Sequence, residues 1–293
     1  MADDAELLIE HDGAVAVLTL NRPQRNNALT DNMLVMLGRA VMQLEDDGRT
    51  RAVLVKGSGG VFCAGFDVGG GHQSRTRVDF RNHADLASAT FWRIWRSPLP
   101  FVAAVRKVCI GGAVYLACVC DFLVTTPGTR IAMSELKLGM APPLFDIFPW
   151  LMSYRAAKEF LLTGDAIDGR KAVEWGLASR CIEADDPVPD AMRLAEQLAA
   201  MPDDVVAKMK RSVNRRWELA GLVEGINEDV AGFVEDKVNM GPVQTEFRRL
   251  AREVGVGEAV RRMSRLAVAK ISGDERELRS MARTCPAGGD TSR

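Results

Sequence analysis

The stretch Val61-Phe62-Cys63-Ala64-Gly65-Phe66-Asp67-Val68 follows a strand pattern at residues 51–56 and the glycine-rich turn Gly57-Ser58-Gly59-Gly60. Small residues at positions 64 and 65 would let a ligand approach the backbone closely, since larger side chains would block it. Taken alone, a tight turn between a strand and a helix explains the stretch better than a ligand site does. The rest of the sequence is therefore needed to choose between a tight turn and a ligand site.

A second stretch, Ile110-Gly111-Gly112-Ala113-Val114-Tyr115-Leu116-Ala117, follows the predicted strand at residues 101–105. Paired glycines that open an apolar helix leave N–H donors without partners in its first turn, where a ligand could bind. A glycine pair at such a junction is often only conformational, so this signal is also weak by itself.

The third stretch, Met133-Ser134-Glu135-Leu136-Lys137-Leu138-Gly139-Met140-Ala141-Pro142-Pro143, places one carboxylate after a predicted strand and before an apolar loop. A carboxylate held among apolar neighbours has a raised pKa, which suits a general acid or base near neutral pH. A cap or an ion pair is the commoner role of a single glutamate and remains the alternative.

The first two-thirds of the chain alternates strand and helix patterns, which predicts an α/β fold. Apolar runs that alternate or are rich in β-branched residues predict strands at residues 14–20, 51–56, 101–105, 122–125 and 130–133. Thr30, Ser153 and Asp168 are suited to cap helices, and the last two of these would end at Gly164 and Gly176. After about residue 187 only helical periods follow, with breaks near residues 241–242, 255–257 and 273.

The composition excludes several classes of protein. Hydrophobic residues form 47% and charged residues 26% of the 293 residues, a balance typical of globular chains. The formal net charge of −1 lacks the basic excess of a nucleic-acid-binding protein. The longest uncharged apolar run, residues 108–120, is shorter than the roughly 20 residues that span a bilayer. We therefore expect no nucleic acid partner and no membrane segment.

The six cysteines and three histidines predict a reduced protein without a metal site. Several cysteines lie in apolar runs, and the acidic N-terminal residues resemble neither a secretory signal nor a transit peptide. We therefore expect buried thiols rather than disulfides, and a cytoplasmic location. The histidines are too scattered to bind a metal together, and Cys118-x-Cys120 lacks a second pair of ligands.

In this order and spacing, the three stretches resemble the crotonase superfamily, the enoyl-CoA hydratase/isomerase family. The resemblance covers about residues 6–185. Its other motifs are Leu18-Thr19-Leu20-Asn21-Arg22-Pro23 with Asn27-Ala28-Leu29, then Cys120-Asp121, then Leu162-Thr163-Gly164-Asp165-Ala166 and residues 172–177. Each motif is loose alone, but six in register make a chance match difficult to sustain.

The resemblance implies a crotonase-like (ClpP/crotonase) spiral of ββα units with two roughly perpendicular sheets. A helical C-terminal region would build trimers or dimers of trimers. We accordingly predict a core with an acyl-CoA site at residues 1–190, a helical region at 191–285 and a disordered tail at 286–293. The nearest match to the family's C-terminal signature is Gly232-Phe233-Val234-Glu235-Asp236-Lys237, after which helical sequence continues beyond the usual length.

The resemblance also implies roles for residues of the core. The backbone N–H groups of Phe66 and Gly112 would form an oxyanion hole for a thioester carbonyl, and Glu135 would transfer a proton at the α-carbon. The residues that would contact coenzyme A are Ala64, Asp67, Ala28 and Arg25, with Arg22 as the alternative to Arg25 at the phosphates. Coenzyme A would be part of the substrate, and no further cofactor is implied.

Tyr115 is where the sequence departs from the hydratases of this family. Those enzymes use two glutamates, and the position of the first, three residues beyond Gly112, is Tyr115 here. A phenol with a pKa of about 10 is no resting base at neutral pH, although it could orient a water, donate to an oxyanion or simply pack. One glutamate is enough for a 1,3-proton shuttle, so we predict an enoyl-CoA isomerase that uses Glu135.

Three other functions remain open on this sequence. The nearest is an enoyl-CoA hydratase, or a related lyase or hydrolase, that uses Tyr115 together with Glu135. The others are a scaffold that binds acyl-CoA without turnover and an RNA-binding relative, which the net charge disfavours. Asp146 is a candidate second carboxylate near the pocket. The glycine-rich segment 69–75 has the composition of a loop and is predicted to be a mobile lid or entry loop. His72 and His83 lie near it and could contact a ligand, although surface histidines are commoner.

Overall fold

The structure is a computed structural model that describes residues 5–67, 76–141 and 143–272. The strands are β1 (Leu7–Asp12), β2 (Val15–Leu20), β3 (Ala52–Gly57), β4 (Phe101–Val105), β5 (Val108–Ile110), β6 (Phe122–Thr125), β7 (Arg130–Ala132) and β8 (Arg180–Cys181). The helices of the main body are α1 (Asp31–Asp46), α2 (Arg77–Arg96), α3 (Gly112–Cys118), α4 (Phe148–Leu151), α5 (Tyr154–Thr163), α6 (Gly169–Glu174) and α7 (Val188–Ala199). They are followed by α8 (Asp203–Trp217), α9 (Val223–Val238), α10 (Pro242–Val254) and α11 (Val256–Ser272).

A six-stranded sheet in the order β1-β2-β3-β4-β6-β8 lies at the centre, and β5 and β7 form a separate parallel pair. Only β1 is antiparallel to its neighbour in the central sheet. The predicted α/β fold and its C-terminal helices are confirmed. The sequence patterns do not predict β1, where Glu10, His11 and Asp12 interrupt the apolar run. They also do not predict β5 and β8, which have only three and two residues.

Both faces of the central sheet are covered, which explains why its inner strands are almost continuously apolar. Alternate residues of β2 point to opposite sides. Leu18 and Leu20 pack into the cluster that includes α1 and α2, whereas Val15 and Val17 pack into a second cluster with α7. Helix α7 begins before residue 190, the predicted boundary between the core and the helical region, and ends after it. The division of the chain into these domains stays a prediction.

The predicted helix ends are confirmed where polar caps mark them. The Thr30 hydroxyl accepts a hydrogen bond from the Met33 N–H at 2.9 Å, the Ser153 hydroxyl accepts one from Ala156 at 3.3 Å, and the Asp168 carboxylate accepts one from Lys171 at 2.7 Å. Gly164 follows α5 in a left-handed conformation, as its position in the sequence predicts. Such signals are reliable because the hydrogen bond of an N-cap involves only residues in the first turn of the same helix.

The C-terminal helices lie against the part of the chain that carries the candidate site. Helix α9 packs on α2, and the α10–α11 hairpin packs on the 3-10 helix Ser134–Leu138 through Leu138, Phe247 and Leu250. Across the ranges given above, no helix has an apolar stretch long enough to cross a bilayer. The predicted tail at 286–293 and the predicted lid loop with His72 lie outside the described residues.

Candidate active site

A short parallel pairing brings the first two stretches together. The Cys63 N–H donates to the Val108 carbonyl oxygen at 3.0 Å, and the Ile110 N–H donates to the Cys63 carbonyl oxygen at 3.4 Å. Residues 64–66 therefore lie beside residues 110–112. A Cβ atom on Gly65 would be 2.4 Å from the Ile110 carbonyl oxygen, and one on Gly112 would be 2.8 Å from the Phe66 ring. The contact is possible only with glycine at both positions.

This arrangement leaves two backbone N–H groups available. The Leu29 N–H donates to the Gly65 carbonyl oxygen, and the Asp67 N–H donates to the Leu29 carbonyl oxygen. The N–H of Phe66, which lies between Gly65 and Asp67, takes no part in this pairing. Gly112 is the first residue of α3 and has no helical carbonyl to bond. Within the ranges that the structure describes, neither N–H has an acceptor. Two such donors side by side suit an oxygen atom that gains negative charge during a reaction.

Glu135 lies on the 3-10 helix Ser134–Leu138, and its carboxylate reaches the backbone of Gly111. Its Oε2 atom is buried and has no hydrogen-bond partner. Burial raises the pKa of this carboxyl above its usual 4.5, although a backbone hydrogen bond and the charge of Lys237 oppose the shift. A carboxyl with one unpartnered oxygen that protonates more readily than usual suits a general base or acid.

Tyr115 is a packed residue, 2% exposed. Its hydroxyl accepts a hydrogen bond from the Leu144 N–H at 3.1 Å, and its ring lies 5.8 Å from the Phe148 ring. Burial raises the pKa of the phenol well above 10, and the negative charge of Glu135 raises it further. Of the three roles that the sequence allows for Tyr115, packing is the one that these contacts support.

Aromatic side chains form one wall beside Tyr115. The wall consists of four rings whose neighbouring centroids lie no more than 6.4 Å apart, those of Phe66, Phe91, Phe145 and Tyr115. His83 packs its ring edge against Phe66 at 4.8 Å, and its Nδ1 lies 2.6 Å from an Asp31 carboxylate oxygen. His83 is 6% exposed, so the surface position considered for it is wrong. Sequence spacing does not reveal its partner Asp31, which lies on α1.

Arg22 has an internal role. Its guanidinium contacts the Asp67 carboxylate at 2.8 Å, the Glu6 carboxylate at 3.1 Å and the Ala28 carbonyl oxygen at 2.7 Å. These contacts tie the turn after β2 to the residues that follow Phe66. Arg25 is exposed on the 3-10 helix Pro23–Arg25, so of the two arginines it is the one that remains available to a phosphate.

The remaining predicted contact residues differ in exposure. Ala28 is buried at 8% exposure, whereas Ala64 and Asp67 are partly exposed. The roles of these residues in binding coenzyme A stay predictions. Among the described residues, no group of three His, Cys, Asp or Glu side chains is placed to hold a metal ion.

Sequence reasoning misses two charged residues of α9. Lys237 is 9% exposed, with its Nζ 3.7 Å from the Asp236 carboxylate and 4.9 Å from the Phe233 ring centroid. Burial lowers the pKa of Lys237 to about 8. Asp229 accepts a hydrogen bond from the Asp146 N–H. The segment 232–237 was a signal for Lys237, but the position of Asp229 on an amphipathic helix gives no such signal.

The two-sheet architecture, with its glycine-opened helix beside the 62–67 stretch, defines a crotonase-like protein. The chain belongs to the enoyl-CoA hydratase/isomerase family, whose model matches residues 10–245. The crystal structure of an enoyl-CoA hydratase/isomerase from Xanthobacter autotrophicus Py2 aligns with a TM-score of 0.84 and 31% identity, over 88% of this chain and 97% of that one.

Relatives with different names also match. A protein named "Probable enoyl-CoA hydratase" from Rhizobium meliloti is 31% identical over 226 residues, which are 75% of this chain and 85% of that protein. The 4-chlorobenzoyl coenzyme A dehalogenase-1 of an Arthrobacter species is 29% identical over 240 residues, which are 80% of this chain and 84% of that protein. The family is thereby confirmed, whereas the names of these relatives cover more than one reaction.

Proposed function

We propose that the protein is an acyl-CoA-processing enzyme of the isomerase type, with Glu135 as its single proton shuttle. The Glu135 carboxylate takes a proton from C2 of a 3-enoyl-CoA. The electrons of the broken C–H bond move toward the thioester oxygen, which the N–H groups of Phe66 and Gly112 stabilise as a dienolate. Glu135 then returns the same proton to C4, so the double bond moves from C3 to C2 without loss or gain of atoms.

The observation that carries this proposal is the contrast between Glu135 and Tyr115. Glu135 has a buried Oε2 without a partner and a raised pKa, whereas the Tyr115 oxygen is bonded to Leu144 and its pKa lies well above 10. Only the carboxyl can exchange a proton readily near neutral pH. The two available N–H groups beside it support the stabilisation of a charged thioester oxygen.

Coenzyme A is part of the proposed substrate, and no separate cofactor is needed. Ala64, Asp67 and Ala28 are proposed to line the path of coenzyme A, with Arg25 at its phosphates. We expect a homotrimer or a dimer of trimers in the cytoplasm. These assignments rest on the family and on the exposure of Arg25 beside the engaged Arg22.

Hydration is the second candidate, because several relatives, the Rhizobium meliloti protein among them, are named as probable enoyl-CoA hydratases. It needs a second acid or base near the β-carbon, and the contacts of Tyr115 do not supply one. A related lyase or hydrolase would meet the same requirement. A scaffold that binds acyl-CoA without turnover is disfavoured by the buried, unpartnered Oε2 of Glu135, because an unsatisfied buried oxygen is costly to keep without a use.

The test is incubation of the purified protein with a 3-enoyl-CoA, followed by mass spectrometry and enone absorbance. We expect a conjugated product of unchanged mass. Glu135→Gln should reduce turnover by about 100-fold or more, the range of general acid–base catalysis, while Tyr115→Phe retains much of it. Comparable loss from both substitutions would contradict the single-base mechanism, and thioester binding without any reaction would favour the scaffold.

A further inference from the structure

A histidine and an aspartate from two helices meet beside Phe66. Nδ1 of His83, on α2, lies 2.6 Å from Oδ1 of Asp31, the first residue of α1. The His83 ring is buried, whereas the Asp31 side chain is 46% exposed. An ionised carboxylate offers only acceptors, so the proton of this hydrogen bond belongs to Nδ1, and the contact fixes the orientation of the imidazole.

The Phe66 ring contacts both His83 and Gly112. Its centroid lies 4.8 Å from that of the imidazole, and the two ring planes make an angle of 79°. A Cβ atom added to Gly112 would lie 2.8 Å from Cδ2 and Cε2 of Phe66, so the ring covers the backbone of that glycine. The ring therefore connects His83 to the residue that opens α3 and carries the second candidate N–H donor.

The short segment from Leu29 to Asp31 holds Phe66 in two ways. The Leu29 N–H donates to the Gly65 carbonyl oxygen at 2.8 Å. That oxygen and the Phe66 N–H belong to one peptide group and point in opposite directions, so the bond turns the Phe66 N–H away from Leu29. Two residues later, Asp31 holds His83, which contacts the Phe66 ring. The backbone and the side chain of Phe66 are thus held from the same segment.

His83 is a polar residue among aromatic neighbours. Besides Phe66 it faces Phe233 of α9, whose ring centroid lies 6.4 Å away. Burial of an imidazole without a hydrogen bond is costly, and an apolar side chain would pack here without that cost. The bond to Asp31 removes the cost and also restricts the angle of the ring, because hydrogen bonds are directional. The pair is therefore suited to keep a neighbouring group in place.

We infer that Asp31 and His83 are positioning residues of the oxyanion hole: the carboxylate holds the imidazole, and the imidazole holds the Phe66 ring against Gly112. The inference rests on the proposed function, since it takes the N–H groups of Phe66 and Gly112 to stabilise the thioester oxygen. Neither side chain of the pair needs to touch the substrate. Without the pair the two donors can move relative to each other, so the charged oxygen is stabilised less well.

The first experiment measures isomerisation of a 3-enoyl-CoA by Asp31→Ala, His83→Ala and the double variant. We expect each single variant to lower kcat by about 100-fold, the cost of a displacement of about 1 Å, and to change KM by less than about 3-fold. The double variant should lose no more than the single ones, because both residues act through one contact. Since the Asp31 side chain is half-exposed, Asp31→Ala removes little packing and tests the inference even if His83→Ala does not fold.

Two further variants separate positioning from other roles. In Asp31→Asn the amide can still bond to Nδ1, so kcat should stay within about 3-fold of the original. If His83 were instead a base that acts on the substrate, asparagine would favour the wrong tautomer, which costs about 10⁴-fold in the serine protease triad. His11→Phe is the matched control, because His11 on β1 also faces an aspartate, with its Nε2 3.4 Å from Asp47. It should leave kcat unchanged.

The second experiment observes the oxyanion hole without turnover. Hexanoyl-CoA with ¹³C at its thioester carbonyl has no double bond to move, and its C=O stretch is recorded by difference infrared spectroscopy on the full-length protein. Hydrogen bonds from two N–H donors polarise the carbonyl and lower the frequency of this stretch. We expect a smaller downshift in Asp31→Ala and His83→Ala, and the full downshift in Asp31→Asn and His11→Phe.

Two outcomes overturn the assignment of the pair while leaving the proposed isomerase intact. One is an unchanged kcat and carbonyl downshift in His83→Ala and Asp31→Ala, and the other is a loss in Asp31→Asn as severe as that in Asp31→Ala. The reverse result, a carbonyl downshift that depends on His83 in a protein that isomerises no 3-enoyl-CoA, would contradict the proposed isomerase and support the pair.

Discussion

The carboxylate of Glu135 lies directly against the backbone of Gly111: a Cβ atom added to that glycine would be 2.5 Å from Oε1. The glycine therefore does more than begin a helix, since it also makes room for the proposed base. Its φ of 57° and ψ of −125° are a conformation that residues with a side chain rarely adopt.

Gly111→Ala should consequently damage both stability and activity. Backbone strain at such a position costs about 1–3 kcal/mol, and displacement of a catalytic group by about 1 Å can cost about 100-fold in rate. Urea unfolding and kcat with a 3-enoyl-CoA would measure the two effects. Gly128→Ala is the control, because nothing lies within 4 Å of its added Cβ. An alanine variant at 111 with the original kcat would show that Glu135 is placed by other contacts.

Tyr115→Phe should lower stability more than it lowers the rate of isomerisation. The substitution removes the acceptor of the buried Leu144 N–H, and an unsatisfied buried donor costs about 1–3 kcal/mol. The chain contains only two tyrosines, so exposed Tyr154 offers a matched Tyr154→Phe control that should unfold like the original protein. Denaturant midpoints would separate the two variants. Equal midpoints would mean that the Leu144 hydrogen bond contributes nothing to stability.

Arg22 and Arg25 should behave differently when each is replaced by alanine. Arg22→Ala removes contacts to Asp67, Glu6 and the Ala28 carbonyl, and hydrogen bonds to charged groups are worth about 1.5–3 kcal/mol each. Its unfolding free energy should fall by about 2 kcal/mol or more. Arg25→Ala should leave stability unchanged and weaken binding of a coenzyme A thioester, seen as a higher KM. The opposite pattern would exchange the roles of the two residues.

Stability should decrease as the pH rises from about 4 to about 7. The folded chain retains protons on Asp146 and Asp229, with pKa values of about 6 and 7, in a range where the unfolded chain, with a value near 3.8, has lost them. The raised pKa of Glu135 acts in the same direction. Each retained proton changes the unfolding free energy by about 1.4 kcal/mol per pH unit.

Asp229→Asn should flatten this pH dependence, because the carboxyl with the higher pKa is gone. Urea unfolding at pH 5, 6 and 7 would measure the slope, with Glu224→Gln, at an exposed position of the same helix, as the comparison. Identical slopes in the two variants would show that Asp229 titrates as it does in the unfolded chain.

The sequence predicts best what a few neighbouring residues decide. Thr30, Ser153 and Asp168 cap helices as their positions indicate, and the Gly111-Gly112 pair opens α3. These features depend on hydrogen bonds and backbone conformation within one turn. Short apolar runs rich in β-branched residues likewise locate β2, β3 and β4, because burial on both faces of the sheet leaves an almost continuously apolar pattern.

Features that depend on tertiary contacts are much harder to predict. The burial of His83 depends on Asp31 in another helix, and the Asp146–Asp229 contact depends on how α9 folds back over the segment before α4. In the sequence Arg22 resembles an exposed charge, whereas in the structure it forms ion pairs with Glu6 and Asp67. Spacing along the chain contains no information about such tertiary contacts, so the sequence does not indicate Asp229, and it marks Lys237 only through the segment 232–237.

The packing of the α10–α11 hairpin on the helix that carries Glu135 has a consequence for synthesis. Leu138 cannot be covered by Phe247 and Leu250 until those residues have left the ribosome, long after the central sheet has been made. Because domains fold as they emerge, the N-terminal strands can assemble first. The segment with Glu135, the proposed proton shuttle, would then be completed last. A nascent chain would therefore acquire the proposed activity only at the end of translation.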